Sequence, residues 1–127
     1  MKLPEELKYT AEHEWVRVHS DGVSVTIGIT DFAQGELGDI VFIELEPEGE
    51  TLEQGDVFGS VEAVKAVSDL FLPVSGTINQ HNAELETNPE LVNSDPFGEG
   101  WIIEVSLSDP TQIESLLSAQ EYADHVA

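Results

Sequence analysis

The sequence predicts a mainly β domain with short flanking helices and a helical C-terminal segment. Three observations carry this: apolar residues between Glu14 and Leu107 recur mostly at every second position, turn-forming residues separate those runs, and sustained helical spacing begins only after Asp109-Pro110. Trp15 to Val18 forms the first clear run. Asp21-Gly22 then marks a hairpin, because both residues tolerate positive φ. In the following run Val23, Val25, Ile27 and Ile29 share one face, with Ser24, Thr26 and Gly28 on the other. Thr30 is placed to cap a short helix over Asp31 to Leu37. Further strands are expected over Ile40 to Leu45, Asp56 to Ala63, Ala66 to Leu72 and Trp101 to Leu107. Between Glu44 and Asp56, acids at 44, 46, 48, 50, 53 and 56 alternate with Pro47, Gly49 and Gly55, which reads as a charged, turn-rich edge. No Asp-x-Asp-x-Asp-Gly spacing supports a calcium loop there. Asp109 caps and Pro110 opens the closing segment, where Ile113, Leu116, Leu117, Tyr122 and Val126 read as the apolar stripe of one or two helices.

The chain has 127 residues, with 4 Lys+Arg against 26 Asp+Glu and a formal net charge of −22. Its four cations, Lys2, Lys8, Arg17 and Lys65, are too scattered to neutralise a phosphate backbone, so nucleic-acid binding and docking on anionic membranes are excluded. A hydrophobic fraction of 40% in periodic runs argues for a folded core rather than acidic disorder. One domain over residues 1–127 is expected, with core strands from about 14 to 107 and helices from about 109 to 126. The chain has no cysteine, which excludes disulfides, thiolate metal sites and a cysteine nucleophile. Neither a membrane span nor a signal or transit segment is visible in Met1 to Thr10 or elsewhere, and a monomer in the cytoplasm is expected.

Position makes one lysine conspicuous. After Arg17, Lys65 is the single Lys or Arg in the 110 residues from 18 to 127. It stands near the middle of Gly59-Ser-Val-Glu-Ala-Val-Lys-Ala-Val-Ser-Asp-Leu-Phe-Leu-Pro-Val-Ser-Gly76, with alternating apolar residues on both sides, so it belongs at or near a hairpin crown. Three readings compete. An ordinary surface lysine is the simplest. A Schiff-base or general-base lysine needs burial or nearby cations to lower its pKa, whereas Glu62 and Asp69 act in the opposite sense. The third is an attachment point for a prosthetic arm, which needs an accessible amine on a rigid hairpin that Val61, Val64 and Val67 can anchor.

The stretch Val61-Glu-Ala-Val-Lys-Ala-Val-Ser-Asp69 resembles the lipoate-attachment motif of the glycine cleavage H-protein family. So do Tyr9-Thr10, His13-Glu-Trp-Val16, Gly28-Ile-Thr-Asp31, Leu37-Gly-Asp-Ile-Val-Phe42, Pro73-Val-Ser-Gly76, Asn88-Pro-Glu-Leu-Val-Asn93, Asp95-Pro-Phe-Gly-Glu-Gly-Trp101 and Glu121-Tyr122, in order along nearly the whole chain. Ala63 stands where many members carry Ser, with small size retained. The resemblance implies a barrel-sandwich hybrid of the lipoyl/biotinyl type and lipoic acid in amide linkage to Lys65. It also implies a carrier without catalysis of its own. Its partners would be a pyridoxal-phosphate glycine decarboxylase that loads an aminomethyl group, a tetrahydrofolate-dependent aminomethyltransferase that removes it, a dihydrolipoamide dehydrogenase that reoxidises the arm, and a lipoate-attaching enzyme. Glu62, Gly59 and Gly76 are candidates for recognition by that last enzyme. Glu14, Asp69 and, more weakly, Glu12 are candidates for holding the loaded arm against the protein, where a carboxylate would pair with its ammonium.

Other classes fit less of the sequence. A biotin carrier would share the hairpin, but that family typically flanks its lysine with Met, and here the neighbours are Val64 and Ala66. Phosphopantetheine carriers are helical and use serine. A carboxylate hydrolase finds no acid pair singled out by spacing, and His13, His19, His81 and His125 lack metal-ligand spacing. An interaction module with Lys65 unmodified stays open.

Overall fold

The computed structural model describes residues 3–126; Met1, Lys2 and Ala127 lie outside the described residues. Nine strands form two antiparallel sheets. The strands are β1 (Lys8–Tyr9), β2 (Glu14–Val18), β3 (Ser24–Ile29), β4 (Ile40–Leu45), β5 (Thr51–Leu52), β6 (Val57–Ala63), β7 (Val67–Phe71), β8 (Gly76–His81) and β9 (Ile103–Leu107). The larger sheet has the order β1-β2-β3-β9-β8-β5 and the smaller the order β4-β6-β7. Val16, Val25, Ile27, Ile78, Ile103 and Val105 of the first sheet share one buried cluster with Phe58, Val61 and Leu70 of the second, so the core is the space between the sheets. Helices α1 (Asp31–Leu37), α2 (Glu84–Thr87), α3 (Leu91–Ser94) and α4 (Ala119–Val126) are short, and Leu85 of α2 and Val92 of α3 join the same cluster.

Most expected strands are present with ends shifted by a residue or two. The β2–β3 hairpin turns at Gly22, with φ 73°, and Asp21 Oδ1 accepts the Val23 and Ser24 amides at 2.9 and 3.0 Å. Those bonds hold the Asp21 carboxyl below the usual range, the Val23 amide contributing most. Two expectations are corrected. Val23 belongs to the turn and is 55% exposed, while Thr26 and Gly28 on the supposedly polar face are buried. β3 is covered on both sides because Trp15 lies over Gly28 and His19 reaches the Thr26 hydroxyl at 2.6 Å. The closing segment is two helices, within the expectation, but Leu116 and Leu117 lie between them rather than on a helical stripe. A 3₁₀ helix, Pro110–Ser115, gives way to extended chain, and Leu117 pairs with Tyr9 through two main-chain bonds of 2.8 Å before α4 begins. Pairing with the free edge of β1 overrides the local helical preference. Strands β1, β5 and β8 and helices α2 and α3 are not evident from the periodicity. β5 has only two residues, and β8 is a polar run that owes its place to pairing with β9 and β5.

A second buried cluster of Leu7, Tyr9, Trp15 and Tyr122 joins the N-terminal strands to α4. Trp15 is pinned: its indole N–H donates to Pro96 O at 2.9 Å, and the Arg17 guanidinium stacks 4.9 Å from the ring centroid. A Cβ at Gly28 would lie 2.6 Å from Trp15 Cε2 and Cζ2. Gly28→Ala is therefore expected to cost about 1–3 kcal/mol in urea denaturation as the ring is forced off its hydrogen bond. A loss below about 0.5 kcal/mol would show that the ring shifts freely.

Candidate functional site

Strands β6 and β7 pair from Val57↔Phe71 to Glu62↔Val67, and the Ala63 amide donates to Ala66 O at 2.7 Å, leaving Val64 and Lys65 at the tip. Among the described residues His13 is the only non-glycine with positive φ, so both tip residues keep ordinary backbone angles and the turn needs no glycine. Val64 and Val67 are 74% and 66% exposed. The crown is nonetheless fixed. Val64 N–H donates to Asp39 O at 3.0 Å, and the lysine stem lies so close over Gly38 that a Cβ there would be 2.8 Å from Lys65 Cε. Gly38 ends α1 with φ 82°, a conformation that glycine adopts without penalty. Lys65 itself is exposed and makes no ion pair among the described residues.

What supports the crown is Asn93, in α3. Its amide donates to Gly38 O and Gln34 Oε1, both at 2.9 Å, and its Oδ1 accepts the Ile40 amide at 2.9 Å. Asn93 thus ties the end of α1 to the start of β4 and sets the Asp39 carbonyl that holds Val64. Sequence reasoning assigned it no role; the only signal was its place in the Asn88-Pro-Glu-Leu-Val-Asn93 stretch.

The other predicted residues fall into separate places. Glu62 is exposed next to the crown, opposite Phe42 and Val67. Gly59 and Gly76 have a packing reason of their own: a Cβ on Gly59 would strike Glu44 O and Leu45, and one on Gly76 would strike Ser106 O and Val105. Asp69 is exposed opposite Ser60 and borders a shallow groove with Glu44, Glu46 and Val57. Glu14 and Glu12 share a different cavity, of about 300 Å³, lined also by Tyr9, Phe71 and Leu116. Asp69 does not line it, although Phe71 is two residues further along the same strand.

Glu14 is only 2% exposed. Its Oε1 accepts the Thr10 hydroxyl at 2.7 Å and its Oε2 the Phe71 amide at 3.3 Å, tying β2 to β7. Burial pushes its pKa up to about 7, the largest effect, and the two hydrogen bonds only partly offset it. Next to it, His13 Nδ1 lies 2.8 Å from Tyr122 Oη, which lies 2.8 Å from Thr30 Oγ1, the cap of α1. Burial and then the neighbouring His125 hold the His13 pKa below the usual imidazole range. This chain of contacts joins the β2 entry, α1 and α4.

The family model described as glycine cleavage H-protein matches residues 7–127. The chain belongs to that family. The glycine cleavage system H protein of Salinibacter ruber is 57% identical over 124 residues, covering 98% of each chain. That of Staphylococcus saprophyticus is 53% identical over 126 residues, covering 99% of this chain and 98% of its own. A crystal structure of a glycine cleavage system H protein from Mycobacterium marinum superposes with a TM-score of 0.86 at 37% identity, covering 98% of both chains. The two facing, unclosed sheets with a C-terminal helix are the barrel-sandwich arrangement of this family.

Glu14 generates a pH prediction. A carboxyl whose pKa is higher in the folded than in the unfolded chain contributes stability that is complete below about 4.5 and is lost as the pH rises through about 7. The loss amounts to about 3 kcal/mol for this group. Glu14→Gln, which cannot ionise, should lose correspondingly less stability than wild type between pH 4.5 and 8 in parallel urea titrations. Identical pH profiles would show that Glu14 titrates normally.

Proposed function

We propose that the chain is a carrier bearing lipoic acid in amide linkage on Lys65, serving the glycine cleavage system and catalysing no step itself. The observation that carries this reading is the presentation of Lys65: a primary amine exposed at the tip of a tight hairpin whose backbone is bonded to the α1–β4 loop. An acylating enzyme needs the amine accessible, and a carrier needs it fixed in place; the crown meets both needs. When attached, the group would supply a disulfide able to accept the aminomethyl unit and the electron pair that glycine leaves behind as it loses CO₂ on the decarboxylase. The chain's own part is to hold, orient and shelter. The partners in this reading are a pyridoxal-phosphate glycine decarboxylase, an aminomethyltransferase, a dihydrolipoamide dehydrogenase and a lipoate-attaching enzyme, in the cytoplasm. Among the described residues no helix is long and apolar enough to cross a membrane.

The cavity around Glu14 fits the loaded arm chemically. Tyr9, Phe71, Leu72, Leu116 and Leu117 offer apolar walls, and Glu14 is a buried carboxyl at the surface of that space. A cationic amine arriving there would pair with Glu14 and favour its ionised form. Phe71 lies six residues past Lys65, roughly 20 Å at ~3.3 Å per residue, so only an extended arm spans the distance. Glu12 stands at the same cavity, and Asp69 lies on the way, four residues past the lysine.

Lys65→Arg should fold with an unchanged melting curve and carry no lipoyl mass after expression in a lipoate-replete host, because guanidinium does not accept the acyl group. Wild type should carry it in an intact-mass spectrum. An unmodified wild type, or a lipoylated Lys65→Arg, would overturn the assignment, and a biotin-sized increment would favour the biotin-carrier alternative. For the sheltering cavity, the aminomethyl-loaded Glu14→Gln protein should release formaldehyde several-fold faster than loaded wild type. Equal release from Glu14→Gln, Asp69→Asn and the double variant would remove these carboxylates from the arm's resting place.

A further inference from the structure

The smaller sheet ends on one side at β4, which bonds only to β6. Glu46 N–H donates to Phe58 O at 2.9 Å, and in an antiparallel ladder bonded residues alternate. Glu44 and Phe42, opposite Ser60 and Glu62, therefore turn their main-chain groups toward β6, and Ile43 and Leu45 turn theirs outward. The outer end of the strand is capped at Ile40 by Asn93, and the outward groups beyond it meet no main-chain or side-chain partner among the described residues. The other edges are shorter or partly closed, although the Val67 and Asp69 amides of β7 also lack a partner among the described residues. β1 is closed by the Tyr9–Leu117 bridge, β5 has two residues, and β7 is bonded at Phe71 by Glu14.

Beside this edge runs a groove of about 620 Å³, walled on the far side by the α2 segment. Phe42, 53% exposed, and Val41, 51% exposed, supply apolar surface to it, Glu44, Glu48 and Glu86 supply carboxylates, and its lining has one imidazole, His81, and no Lys or Arg. A second copy of this chain is a poor occupant, because it would bring another net charge of −22 and more carboxylates to the same edge. A segment that pairs with the edge and satisfies the groove must be extended, must alternate apolar with basic side chains, and must come from a protein.

We propose that the outer edge of β4 is a docking strand that takes an extended segment of a partner protein, alternately apolar and basic, by strand addition into the groove between β4 and α2. The added strand would bond to the Ile43 and Leu45 main chain, carry its apolar side chains on the face of Ile43 and Leu45, and lay Lys or Arg across the other face, stem against the Phe42 ring and charge at Glu44. The register sets its position relative to the crown. Phe42 is opposite Glu62 and Ile40 opposite Ala63, so a segment docked here runs level with the hairpin that presents Lys65, with β4 between them, and leaves the amine uncovered. This surface does not depend on Lys65 being acylated, and the test below is made on the unmodified chain.

The probe is a capped synthetic nonapeptide of alternating lysine and valine, titrated into the ¹⁵N-labelled full chain at constant salt. Binding should shift the amide resonances of residues 41–45 and slow hydrogen exchange at Ile43 and Leu45 at least tenfold. Phe42→Thr keeps the charge and the strand preference and removes the exposed ring; it should weaken the peptide at least tenfold. Two N-methylated isomers of the peptide, blocked on alternate amides, should differ by at least tenfold, because only one set of amides faces β4. That comparison holds even if Phe42→Thr perturbs the strand. Shifts spread evenly over the acidic surface, no added protection at Ile43 and Leu45, equal affinity of both isomers, or a peptide that binds as a helix would each overturn the proposal.

Discussion

The side chain of Asn93 makes three hydrogen bonds on which the geometry of the crown depends. They join α1, α3 and the first residue of β4, and so fix the one carbonyl, Asp39 O, that receives the Val64 amide. A hairpin tip bearing exposed Val64, Lys65 and Val67 has little packing of its own to hold it still. Main-chain bonding to a braced loop supplies the rigidity that side-chain burial supplies elsewhere. Each such bond contributes only about 1 kcal/mol net, and losing one leaves a partner unsatisfied at greater cost. The three act on one loop, so their effects converge on the orientation of Lys65.

Charge works at two depths in this protein. Most of its 26 acids lie at the surface, where water and salt screen them. Glu14 is different because burial makes the charged form costly, so the pocket holds a carboxyl poised near neutrality rather than a fixed anion. Such a group ties β2 to β7 through its hydrogen bonds.

Glycine shows how local sequence and tertiary packing meet here. Gly22 and Gly38 are required by positive φ, which turn and cap patterns already suggest. Gly28, Gly59 and Gly76 are required by what stands opposite them: an indole ring, a neighbouring carbonyl, and the main chain of β9. No property of the residues next to them in sequence announces that need.

The β class, the hairpin at Asp21-Gly22, the capped helix α1, the isolation of Lys65 on a hairpin and, through ordered motifs, the family are all legible in the sequence. These are properties of neighbours a few residues apart, where period, caps and turn preferences act. Tertiary structure decided the rest. Leu117 became extended because β1 offered a partner, β8 became a strand because β9 and β5 flanked it, and Thr26 became buried because His19 folded over it. It also separated acids that looked equivalent in the sequence, burying Glu14 in a cavity with Glu12 and leaving Asp69 in a different groove. Burial and the identity of facing atoms depend largely on contacts between residues far apart in the chain, such as Glu14 with Phe71 and Trp15 with Pro96, and local pattern carries no record of those contacts.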